Sequence, residues 1–68
     1  MAASPDFAEL SSLRAQVDDV VARVVAVGDR YRESDDSALV AELDQAERLL
    51  VNAIRSLERA TGLVADPH

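Results

Sequence analysis

The sequence predicts an all-α protein: a two-helix antiparallel hairpin that closes into a four-helix bundle by dimerisation. Three observations carry this. Apolar residues recur at spacings of three and four through two long segments. One short polar stretch, "ESDDSA" at 33–38, is all that separates them. Large and small residues also alternate along "LDQAERLLVNAIRSLERA", residues 43–60. The expected organisation is a single domain over 1–68, with helix 1 at about 5–32, a loop at 33–36, helix 2 at about 37–61 and a frayed tail at 62–68.

Helix 1 begins at "SPDFAEL". Ser4 suits the cap, Pro5 the first helical position, and Asp6 and Glu9 the positive end of the helix dipole. Leu10, Leu13, Val17, Val20, Val24, Val27 and Tyr31 then form a heptad-like seam, widened by Val21 and Val25. Gly28 is the weak point: a helical Gly costs ~1 kcal/mol against Ala, so its use here suggests a close backbone approach. The polar link is too short for anything but antiparallel neighbours. Asp36 is the preferred cap of helix 2, with Ser34 and Asp35 as alternatives. Gly62 fits a left-handed stop after Thr61, with Leu63 as its hydrophobic contact.

The seam expected on helix 2 is Leu39, Leu43, Ala46, Leu50, Ala53, Leu57 and Ala60. Each Ala leaves a shallow spot where another helix comes near, and each Leu fills the gap beside it. Val40, Leu49, Val51 and Ile54 flank this stripe, so helix 2 is apolar over roughly half its circumference. One neighbouring helix covers a single strip of that arc. The remainder needs a second helix pair, and two copies of the hairpin supply it. The residues expected at interfaces are Val17, Val20, Val21, Val24, Leu43, Ala46, Leu49, Leu50, Ala53, Ile54 and Leu57.

Composition narrows the function. A 68-residue chain buries a small fraction of its surface and usually needs a staple. With no Cys there is no disulfide and no thiolate metal site, and the one His is the terminal residue, His68. A partner is the staple that remains. The net charge of −6 argues against nucleic acid and anionic membranes. No run approaches the ~18 apolar residues of a membrane span. "MAASPDFAEL" has no basic stretch before an apolar core, so no secretory signal and a cytoplasmic location are expected. All seven basic residues are Arg and none is Lys, which together with the Ala and Val content suggests a GC-rich bacterial coding sequence.

Candidate chemistry is sparse. Asp18–Asp19 and Asp35–Asp36 are acidic pairs, but hard cations need several oxygens converging from a fixed loop. Neighbouring helical carboxylates diverge, and Asp35–Asp36 is accounted for by capping. No nucleophile–base pair and no glycine-rich phosphate loop is present. Neither an enzyme nor a cofactor is expected.

Three resemblances bear on function. In size and layout the chain resembles the Rop family of plasmid RNA-binding regulators, which are short dimeric hairpins with layered small and large core residues. That family reads RNA with a basic, aromatic-bearing face of its first helix. Here Arg14 and Arg32 lie on one side, Arg23 and Arg30 on another, and Asp18, Asp19 and Asp29 intervene. "LRAQVDDV", residues 13–20, is similar to the first helix of the all-helical chorismate mutases. The resemblance implies a carboxylate-gripping role for Arg14, but that family also needs a third helix and an active-site Lys, and this chain has no Lys. An i,i+4 pair with Asp18 is the simpler expectation for Arg14. "YRESD", residues 31–35, resembles the Tyr-x-x-x-Asp signal of type VII secretion substrates, which are also helical hairpins. In those proteins the signal follows the second helix and a Trp-x-Gly turn joins the helices; here it precedes the second helix and Trp is absent.

The expected function is therefore a small acidic protein–protein interaction module, an adaptor, regulator or assembly subunit acting through an apolar helical face. Its expected partner is itself or another helical protein. A type VII-like secreted hairpin and a Rop-like nucleic-acid regulator are the alternatives.

Overall fold

Two helices account for the computed structural model, which describes residues 5–65. Helix α1 spans Pro5–Tyr31 and helix α2 spans Ser37–Ala65. They pack against each other along their length. Pro5 opens α1, as its fixed φ and missing N–H favour. The expected cap at Ser4 lies outside the described residues, as does His68.

The turn is built by two side chains. Tyr31 O accepts both the Ser34 N–H at 3.0 Å and the Ser34 hydroxyl at 2.6 Å. The same hydroxyl oxygen accepts the Asp36 N–H at 3.1 Å. Asp36 then caps α2: its Oδ1 accepts the Leu39 N–H at 3.2 Å and its carbonyl accepts the Val40 N–H at 3.2 Å. Of the three cap candidates, Asp36 takes the role, and Ser34 closes the end of α1 instead.

At the C-terminal end the expectation needs correcting. Gly62 is not a left-handed stop, since no residue among those described has a positive φ. The helix runs through Gly62 to Ala65. The reason is Val64, which is half-buried one turn past Thr61 and two past Leu57 and extends their row. Packing there outweighs the helix-breaking tendency of one Gly.

Gly28 lies inside α1 and is buried. A Cβ built on it would sit 3.9 Å from Leu43 Cβ and Cδ1, an ordinary van der Waals distance. The two helices do approach closely here, yet a methyl group fits. Gly28→Ala is therefore expected to stabilise the fold by about 0.5–1 kcal/mol, through backbone entropy. Thermal unfolding of the variant beside the parent checks this; a lower midpoint would show that the backbones cannot accommodate the methyl group.

Candidate functional site

The Gly28–Leu43 approach sets the register of the hairpin. Each step back along α1 matches a step forward along α2. Val24 then stands level with Glu47, Val21 with Leu50, Val17 with Ile54 and Arg14 with Leu57. The ion pair between Arg14 and Glu58, at 2.8 Å, agrees with this register.

The line of contact follows Leu10, Arg14, Val17, Val21, Val24 and Gly28 on α1. On α2 it follows Val40, Leu43, Glu47, Leu50, Ile54, Leu57, Thr61 and Val64. All of these are buried or half-buried. Ile54, 8% exposed, is the buried hydrophobic residue of the hairpin, and no described side chain is fully buried. Thr61 tolerates its place by donating its hydroxyl to the Leu57 carbonyl at 2.6 Å.

This line differs from the expected seam. Of the anticipated interface residues, Val17, Val21, Val24, Leu43, Leu50, Ile54 and Leu57 lie on it. Ala46 is half-buried beside it, whereas Val20, Leu49 and Ala53 are exposed. The alternating Leu/Ala stripe does not run down the middle of the α1–α2 contact. Its Leu residues do, and its Ala residues form a flank. The same holds on α1, where Leu13, Val20 and Tyr31 are exposed at 40%, 43% and 40%. Gly28 stands at the close approach expected of it, and the residues that pattern-reading missed are Arg14, Glu47 and Thr61. They occupy contact positions without being apolar.

The two flanks have opposite characters. On one side Arg32 reaches across to Asp44 at 3.0 Å and holds Asp29 at 3.1 Å. Hydrogen bonding to Asp44 first, and then to Asp29, pushes the Arg32 guanidinium above its ordinary pKa. Arg14 makes its pair with Glu58 on the same side. Asp18 is not its partner, because a long side chain on the contact line reaches the facing helix more readily than back along its own. Both pairs are substantially exposed, so solvent screens them and they contribute little to stability.

The other side is apolar. It holds the residues one step before each inner contact position: Leu13, Val20 and Val27 on α1, and Leu39, Ala46, Ala53 and Ala60 on α2. In an antiparallel pair these two rows border the same side of the contact line. Leu49, 57% exposed, lies just beyond the α2 row, and Leu63, 74% exposed, lies about four turns further on. The result is one continuous apolar face contributed by both helices.

Little else offers a site. A shallow depression lined by Asp44, Glu47, Arg48, Val51, Asn52 and Arg55 lies along α2 alone and is open to solvent. Among the described residues no group of three or more His, Cys, Asp or Glu side chains could hold a metal ion. No described helix is long and apolar enough to cross a membrane. The Tyr31–Asp35 stretch forms the end of α1 and the turn. Compared with known proteins, the chain matches no family model, no curated protein and no solved structure.

Proposed function

We propose that this chain is a small protein–protein interaction module whose working surface is the apolar face running from Leu13 to Val27 on α1 and from Leu39 to Ala60 on α2. Its role is that of an adaptor, regulator or assembly subunit, and its bound form is a helical bundle built with a second helix pair. The observation that carries the reading is the imbalance within the hairpin. Hardly any side chain is buried between the helices, while Leu13, Val20 and Leu49 remain exposed on one side. A contiguous apolar face of this kind is characteristic of an interface rather than of a free surface.

The test is an affinity capture from the source cell with the parent and with a Leu13→Glu, Leu49→Glu double variant. Proteins held by the parent, untagged copies of the chain included, should be lost by the variant while its circular dichroism stays helical. Equal capture by both would place the interaction elsewhere on the molecule.

A further inference from the structure

Resting on the interaction reading above, we propose that the occupant of the apolar face is a second copy of this chain, docked about a two-fold axis that sets the two loops at opposite ends of a four-helix bundle. Helix α1 then lies antiparallel on α1 of the second copy, and α2 on α2.

The direction of the apolar stripes is the first argument. On both helices the stripe is turned away from the α1–α2 contact line, and on both it is turned toward the same side. The turn amounts to about 50°: stripe and contact line share one row of residues, their other rows differ by one residue, or about 100°, and their midlines by half of that. A helix that packed only on its hairpin neighbour would centre its stripe on that neighbour. A helix in a four-helix bundle aims its stripe between two neighbours, at the bundle axis.

Exposure is the second argument. The large apolar side chains left uncovered on both helices lie along this face: Leu13 is 40%, Val20 43% and Leu49 57% exposed, while Ile54 is the buried hydrophobic residue between the helices.

Charge selects the arrangement. Residues 29–44, the loop end, carry six acidic groups against two basic ones. Two-fold packing with the loops together would set these ends side by side. Packing with the loops apart separates them by far more than the Debye length of about 8 Å. The margin of the face agrees. Glu9, Gln16, Arg23 and Arg30 recur every seven residues along α1, acidic at one end and basic at the other. Antiparallel pairing of two such rows brings Glu9 near Arg30 of the second copy.

A single axis near Val20 satisfies the apolar rows as well. Val20 meets its own counterpart, and Leu13 meets Val27. Carried across the hairpin register, the same axis sets Leu49 over Ala53, the exposed large residue of one copy on the small residue of the other. No position is moved to obtain this.

The experiment combines solution mass with a loop-to-loop distance. The chain has no Cys, so Glu33→Cys takes one spin label, at an exposed turn residue without a partner among the described residues. The expected result is the mass of two chains, with the labels roughly 40 Å or more apart, the length of α1 at ~1.5 Å per residue. A dimer with the labels within about 20 Å would overturn the arrangement, since neighbouring helices lie only 8–10 Å apart. A helical monomer at micromolar concentration would overturn the second copy as occupant. If that monomer still lost a captured protein in the Leu13→Glu, Leu49→Glu variant, the interaction reading would stand and only the choice of occupant would fall.

Discussion

Ile54→Ala is expected to destabilise the fold by about 2–3 kcal/mol, the lower part of the range for removing buried aliphatic side chains. Ile54 stands level with Val17 at the middle of the hairpin and is 8% exposed. The cavity it leaves borders half-buried neighbours that can partly collapse, hence the lower part of the range. A domain of this size has only a few kcal/mol in hand, so the variant should show a visibly unfolded fraction at room temperature. Val51→Ala is the comparison: Val51 is half-buried on the ion-pair side, and its truncation should cost under about 1 kcal/mol. Chemical unfolding followed by circular dichroism, at one fixed protein concentration so that any association contributes equally, separates the two. Equal losses would mean that Ile54 is not the centre of the hairpin contact.

The hairpin itself was legible in the sequence because its signals are local. A cap acts within one turn, and Asp36 could be chosen because its carboxylate needs only the amide three residues on. The helical period survives along "ERLLVNAIRSLERA" whichever neighbour the helix has. The orientation of each helix about its axis was less legible. Periodicity finds the most apolar stripe, and the most apolar stripe answers to every surface the helix buries. Here Arg14, Gly28, Glu47 and Thr61 take contact positions, so counting apolar residues moves the apparent seam one row over, onto Val20 and Ala53. Arg14 is tolerated because its guanidinium reaches Glu58 at the rim while its stem covers the contact. Gly28 contributes by lacking a side chain, which no hydrophobicity count registers. Gly62 shows the same limit at the helix end: its stop signal is local, but the row through Val64 decides.

Ala53→Leu follows from that shift in orientation, and its expected effect separates hairpin from bundle. Had Ala53 faced α1 at the closest approach, as the Leu/Ala alternation alone suggests, a larger side chain would overpack the hairpin. Ala53 is exposed instead, so the hairpin by itself has room for Leu. In the two-copy bundle the position is covered by Leu49 of the other copy. Two leucines cannot share the space of one leucine and one alanine without spreading the helices, at a cost of about 1–3 kcal/mol for each such contact. The two-fold axis makes the contact twice, so even the lower end of that cost, about 2 kcal/mol in all, should weaken self-association roughly thirtyfold. Ala22→Leu, on the exposed outer side of α1 away from both faces, should leave association unchanged. Sedimentation equilibrium of the two variants and the parent reads the dissociation constants directly. The compensating change, Leu49→Ala on the Ala53→Leu background, should restore most of the affinity, because it exchanges the large and small partners across the interface. Rescue of that kind would not arise from a defect within one hairpin, where Leu49 and Ala53 lie four residues apart on the same exposed side of α2.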